Sequence, residues 1–180
     1  MTKQAANAEA LDLRRLVRDI PDFPKKGIVF KDITPLLGDS DGFKATIDRM
    51  SEPYLNKGIR KIAGIESRGF LLATAIAYRL GAGVIPIRKK GKLPHKVVSA
   101  TYQLEYGTDS VEAHADALEP GEKILLVDDV LATGGTAAAA CTLLELLKGK
   151  IAGLSFLIEL DFLKGRDKVK QHQIESLIHY

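Results

Sequence analysis

Residues 124–136 read Ile-Leu-Leu-Val-Asp-Asp-Val-Leu-Ala-Thr-Gly-Gly-Thr: an unbroken apolar run, two adjacent acids, then a turn of small residues opening an alanine-rich helix. The run Ile124 to Val127 has no polar face, as expected of a strand covered on both sides in a parallel sheet flanked by helices. A strand continuing through Asp128 and Asp129 would turn them to opposite faces and drive one acid into the core, so the strand is expected to end at Val127. Thr133, Gly134, Gly135 and Thr136 then supply backbone N–H groups and two hydroxyls where a helix over 137–147 begins, a terminus that attracts anions. The first acid after Asp129 is Glu145, near the far end of that helix. With no carboxylate of its own to offset the positive dipole end, the helix calls for an external anion. The Walker lysine is absent, and Gly81-Ala82-Gly83-Val84-Ile85-Pro86 carries proline where a dinucleotide fingerprint needs its third glycine.

The rest of the sequence repeats this alternation. Strands are expected at 61–65, 84–87, 124–127 and 154–160, and helices at 42–55 (capped by Ser40 or Asp41), 68–80 and 137–147. That order describes an α/β fold with a central parallel sheet flanked by helices. Its 180 residues suit one domain rather than two. Residues 8–20 place Leu13, Leu16, Val17 and Ile20 on one face, predicting a packed N-terminal helix; the short apolar piece Ile28-Val29-Phe30 follows an irregular stretch. Between Lys89 and Glu122 no period emerges, and a long irregular stretch in a compact domain indicates a functional flap. Asp39-Ser40-Asp41-Gly42 fails as a calcium loop, because Met50 stands where the bidentate Glu belongs. Cys141 is the only cysteine and lies in the alanine-rich helix, so core packing is expected of it rather than a disulfide, a metal cluster or catalysis. A net charge of +3 gives no case for general nucleic-acid binding. No run is apolar enough to cross a membrane and no signal peptide is visible, so cytoplasmic residence is expected.

Three strand ends face the same edge of such a sheet, where ligands of open parallel sheets bind. One carries Asp128, Asp129 and the Thr133–Thr136 turn. The second is Glu66-Ser67-Arg68-Gly69-Phe70, where Arg68 sits beside a positive helix end and so calls for an anion. The third is Arg88-Lys89-Lys90-Gly91-Lys92. The small-residue turn suits one phosphate, Arg68 with the basic cluster suits a more highly charged group, and the paired acids accept hydrogen bonds from vicinal hydroxyls. Together they describe a phosphorylated sugar carrying pyrophosphate.

The segment Val127–Thr136 resembles the sugar-phosphate motif of the type I phosphoribosyltransferases. The resemblance extends, in order, through Val29-Phe30-Lys31-Asp32-Ile33-Thr34-Pro35, Glu66-Ser67-Arg68-Gly69-Phe70, Arg88-Lys89-Lys90-Gly91-Lys92-Leu93-Pro94 and Leu104-Glu105-Tyr106-Gly107, and is similar to members acting on adenine, from about residue 20 to the end. It implies transfer of the 5-phosphoribosyl group from 5-phosphoribosyl 1-pyrophosphate (PRPP) to N9 of adenine, giving AMP and pyrophosphate with Mg²⁺. The implied fold has a small N-terminal base-binding hood, about residues 1–35, and a flexible flap, about 88–108, in one domain of 1–180. By the same resemblance Ala132, Thr133, Gly134, Gly135 and Thr136 hold the 5′-phosphate, and Asp128 and Asp129 the ribose hydroxyls. Ser67 and Arg68, with Arg88 and Lys92, take pyrophosphate, the last two across a homodimer interface. Phe30 stacks on adenine while the backbone of Val29 and Lys31 reads its edge. Glu105 and Tyr106 close with the flap; Glu105 and Arg68 are the catalytic candidates. No all-protein metal cage is visible, so Mg²⁺ is expected mainly on substrate oxygens. The rival readings are the same chemistry on another base, a non-catalytic sensor of PRPP or nucleotide, and an RNA-binding surface built on Lys89, Lys90, Lys92 and Lys96. The last lacks interleaved aromatics.

Overall fold

The computed structural model describes residues 11–103 and 108–180, and the protein divides into two compact units, 1–48 and 49–180. In the first unit the expected helix over 8–20 does not form across its described part. Asp12 accepts a hydrogen bond from the Arg14 backbone N–H at 3.1 Å and caps a single 3₁₀ turn, Leu13–Leu16. The backbone then enters β1 (Arg18–Pro21), which pairs antiparallel with β2 (Val29–Asp32). Pro21 disfavours a helical Ile20, and Lys31 Nζ meets Asp19, its cross-strand partner, at 2.7 Å; a local helical pattern gives way to a ribbon that uses both. After β2 come α1 (Thr34–Gly38) and α2 (Ser40–Ser51). The carboxylate that caps α2 belongs to Asp39, whose Oδ1 accepts from the Gly42 N–H at 2.7 Å, rather than to Ser40 or Asp41.

The second unit is built on a seven-stranded sheet. β3 (Lys61–Ile65) leads into α3 (Gly69–Leu80), which ends at Gly81 in the left-handed conformation, and β4 (Gly83–Lys89) returns parallel to β3. β5 (Val97–Gln103) and β6 (Thr108–His114) form an antiparallel pair, and β6 adds antiparallel to the end of β4 through Arg88↔Glu112 and Lys89↔Val111. β7 (Lys123–Leu131), α4 (Gly135–Leu146), β8 (Lys150–Glu159) and β9 (Ile174–His179) complete the order β5-β6-β4-β3-β7-β8-β9. The expected α/β architecture is present, with β4, β3, β7, β8 and β9 paired parallel and β6 alone reversed, running against both β4 and β5.

The stretch expected to be irregular after Lys89 therefore contains two strands. Its alternation is masked because β6 buries Val111, Glu112 and Ala113 in succession, and Glu112 uses its carboxylate inside the fold, accepting from the Gly91 N–H at 2.9 Å and the Ser99 hydroxyl at 3.0 Å. β9 was not anticipated, since only Ile178 on it is buried. Ile124, Leu126, Leu154 and Phe156 of the sheet form one core with Ala140, Cys141, Leu143 and Leu144 of α4. Burial first, and then the nearby Glu145 charge, push the Cys141 thiol up to about 12, the state of a packing residue and not of a nucleophile.

Candidate active site

β7 does not stop at Val127. Its pairing with β3 ends at Gly64↔Val127, but its pairing with β8 continues through Asp128↔Phe156, Val130↔Ile158 and Leu131↔Glu159. Beyond Val127 one flank of the strand has lost its neighbour, which opens room for an acid that a strand paired on both sides would not have. The feared consequence of continuation does occur: Asp129 is 6% exposed. Arg68, at the start of α3, compensates with its Nε 2.7 Å from Asp129 Oδ2. Asp128 stays half-buried at the strand's open flank, its Oδ1 accepting the Asp129 N–H at 2.9 Å. The helix approaches so closely that a Cβ on Gly69 would lie 2.6 Å from Asp128 Oδ1. Burial, reinforced by the neighbouring Asp129 charge, pushes the Asp128 carboxyl well above its ordinary range. A ligand that donates hydroxyl hydrogens to this pair relieves both effects.

Directly after β7, residues 128 and 130–137 line a concavity of about 80 Å³. It opens on the N-terminus of α4, whose first turn contains no acid and whose cap, Gly134, makes no side-chain hydrogen bond. The amides are therefore left to a ligand, and a phosphoryl group matches both the size and the dipole. Gly134 is left-handed with φ +75°, and a Cβ there would overlap the Gly165 carbonyl oxygen. Thr136 Oγ1 donates to the Tyr102 hydroxyl at 3.3 Å, and that hydroxyl donates to Asp109 Oδ2 at 3.3 Å, tying the loop to the β5–β6 pair.

The basic strand end is arranged differently. Arg88 Nε and Lys92 Nζ lie 3.3 and 2.5 Å from the two carboxylate oxygens of Glu66, which also accepts the Lys89 N–H at 3.1 Å. Although burial opposes its charge, the Lys92, Lys89 and Arg88 bonds hold the Glu66 carboxyl down at about 2. The three junctions thus form two ion-paired groups: Arg68 with Asp129, and Arg88 and Lys92 with Glu66. Ser67, joined to Glu66 by a cis peptide, is exposed between them. Glu66, Tyr102, Gly165, Glu159 and Arg166 were not singled out from the sequence. Glu66 alone left a signal there, as the one acid of the Glu66–Phe70 motif.

In the first unit, Val29 is exposed, and Phe30 is half-buried with its ring edge-on to Phe23 at 5.2 Å. Lys31 spends its ammonium on Asp19, which leaves only its backbone for recognition. Glu105 and Tyr106 lie outside the described residues.

Residues 37–176 match the phosphoribosyl transferase domain family. A protein of Acidobacterium capsulatum named adenine phosphoribosyltransferase is 55% identical over 168 residues, 93% of either protein. The crystal structure of adenine phosphoribosyltransferase from Thermoanaerobacter pseudethanolicus superposes with a TM-score of 0.91 at 48% identity, covering 93% of this protein and 98% of that one. The Saccharomyces cerevisiae enzyme, solved with adenine and an imino-altritol bisphosphate, gives 0.88 at 40%, over 93% and 97%. The chain belongs to the adenine phosphoribosyltransferase family.

Among the described residues Glu159, Asp161 and His179 bring three ligand atoms within 4.8 Å. Both Glu159 oxygens are already taken by Arg166, at 2.9 and 2.6 Å, and one also accepts the Ser176 hydroxyl at 2.6 Å, so this group is an ion-paired network. At the family's motif Asp129 Oδ2 is paired with Arg68 and Asp129 is buried, while Asp128 is the more open carboxylate. One such group fits a magnesium ion held mostly by substrate oxygens and water, not a protein cage.

Proposed function

We infer that the protein transfers the 5-phosphoribosyl group of PRPP to adenine, releasing AMP and pyrophosphate. The observation carrying this reading is the succession along β7: a pair of acids suited to vicinal hydroxyls, followed at once by a phosphate-sized cradle of backbone amides. Ala132 to Thr136 hold the 5′-phosphate, and Asp128 and Asp129 orient the ribose hydroxyls. Arg68, with Ser67, Arg88 and Lys92, receives pyrophosphate. Departure of pyrophosphate leaves oxocarbenium character at the anomeric carbon, so the protein's task is to stabilise the leaving charge and keep water out. Asp128 would hold Mg²⁺ together with substrate oxygens, and the ion would supply further neutralisation of the leaving charge.

For the base, Phe30 stacks on adenine while a backbone C=O and N–H of Val29 and Lys31 read its 6-amino group and N1. Hypoxanthine reverses both contacts. Residues 1–35 act as the hood, and 88–108 close as a flap carrying Glu105, which handles the proton at N7, and Tyr106. The working form is a cytoplasmic homodimer in which Arg88 and Lys92 reach the neighbouring site. Product formation from PRPP and Mg²⁺ with adenine, hypoxanthine, guanine or orotate tests the assignment. Adenine is expected to be preferred over hypoxanthine by about 10⁴-fold in kcat/KM, because two buried contacts are left unpaired. Comparable values for the two bases would overturn it, and ligand binding without turnover would favour a sensor.

A further inference from the structure

The loop that cradles the concavity does not stand on side chains. Gly134 and Gly165 meet backbone to backbone: a Cβ on Gly165 would overlap the Ala132 carbonyl oxygen and lie 2.8 Å from the Gly134 nitrogen, and a Cβ on Gly134 would overlap the Gly165 carbonyl. No side chain lies between them, so residue 165 bounds how the loop can sit on that side. Gly165 opens a short 3₁₀ turn, Gly165–Lys168, and its neighbour Arg166 fixes that turn. Arg166 Nε and one terminal nitrogen bind the two Glu159 oxygens as a fork, at 2.9 and 2.6 Å, and the other terminal nitrogen donates to the Ile174 carbonyl at 3.2 Å. Glu159 is 4% exposed, ends β8, and lies in register with Leu131, the last residue of β7 before the loop. The Leu160 N–H donates to the Leu131 carbonyl at 3.0 Å. The path from Leu131 across to Glu159, through Arg166 and Gly165, and back to Ala132 and Gly134 is a closed ring around the base of the loop.

We propose that Glu159 and Arg166 are positioning residues for the phosphate-binding loop, acting through the Gly165 backbone. The proposal rests on the reading of Ala132–Thr136 as the 5′-phosphate site. An ion pair with one buried partner is poor evidence of stabilisation, since apolar residues of similar volume often serve a core as well. A fork of fixed geometry is a means of setting a position, which lysine, a point charge, does not reproduce. Neither residue is among those that line the concavity.

The test measures ribose 5-phosphate and PRPP binding by calorimetry, KM for PRPP and for adenine, and Tm, in Glu159→Gln, Arg166→Lys, Gly165→Ala and Thr136→Asp. Gly165→Ala and Arg166→Lys are expected to weaken ribose 5-phosphate and PRPP about 10–100-fold, the scale of a displacement of about 1 Å at a binding group, while the adenine KM stays at its wild-type value. Glu159→Gln, nearly isosteric and still an acceptor for Arg166, should show a smaller loss of the same kind, and serves as the folded variant if the others do not fold. Wild-type ribose 5-phosphate affinity in the folded variants, or equal losses for PRPP and adenine, would overturn the proposal. Thr136→Asp separates the two failures, because its carboxylate in the first turn of α4 would occupy the amides and repel a phosphate. If it also binds ribose 5-phosphate normally, the loop is not the phosphate site; if it alone weakens binding, the loop stands and the ring around it is structural only.

Discussion

The two candidate anion sites at this sheet edge are built on opposite principles. At the start of α4 the charge partner is a set of backbone amides, with no internal acid in the first turn and no side-chain cap. At the end of β4 it is two formal cations that share a single internal carboxylate, Glu66. The first site is preorganised, and a ligand displaces only water. On the proposed reading the second exchanges one anion for another, so its net gain on binding is the difference between pyrophosphate and a carboxylate. A fixed cradle suits the group that stays on the sugar throughout; an exchangeable clamp suits the group that has to leave.

Rigidity of the first site is the easiest property to break. Gly134→Ala forces a residue with φ +75° to carry a Cβ that overlaps Gly165. The left-handed conformation alone costs about 1–2 kcal/mol, and displacement of the loop should weaken ribose 5-phosphate about 100-fold. Calorimetry with Tm in parallel reads both. Normal phosphate affinity in a folded Gly134→Ala would show the loop to be adaptable, and the contrast with the basic site would fail.

The acids between the two sites give the next effect. Asp128→Ala removes one charge-assisted acceptor, worth about 1.5–3 kcal/mol of PRPP binding, and should leave Tm nearly unchanged because Asp128 is partly open. Asp129→Ala should lower Tm as well, since it strands Arg68, whose Nε lies 2.7 Å from the lost carboxylate. Equal stability of the two variants would mean that Arg68 finds another partner at no cost.

How far this contrast could be read in the sequence follows from the range of the forces involved. The phosphate loop was legible because everything it uses is local: an apolar strand, a glycine turn and a helix whose first acid comes late. The helix expected over 8–20 failed because its competitor, the pairing of Arg18–Pro21 with Val29–Asp32, is non-local. The end of β7 was misjudged for a related reason. Whether Asp128 and Asp129 can stay in a strand depends on β3 ending at Ile65 while β8 continues, and no window around residue 128 contains that information. The counter-ions were hidden most completely. Glu66 meets Arg88 and Lys92 across 22 and 26 residues of sequence, and Gly165 meets Ala132 only because β8 returns beside β7.

The exchangeable clamp leads to the smallest expected effect. Glu66→Gln leaves Arg88 and Lys92 without their anion, so pyrophosphate no longer competes with an internal carboxylate. Its affinity should rise a few-fold at low salt, about 1 kcal/mol for an exposed pairing, and fall back as salt screens the freed charges. Ribose 5-phosphate, held at the amide cradle, should be unaffected. The same substitution has a defined pH signature. The folded Glu66 carboxyl is depressed from 4.5 to about 2, so its contribution to stability is fully present above pH 4.5 and is lost as pH falls toward 2. Urea midpoints at pH 7, 4 and 3 should therefore decline less steeply in Glu66→Gln than in the wild type, with the two curves converging at the acid end. Parallel curves would mean that Glu66 is not held by these cations in solution. Unchanged pyrophosphate affinity beside a flattened curve would mean that the clamp is structural and that pyrophosphate binds without opening it.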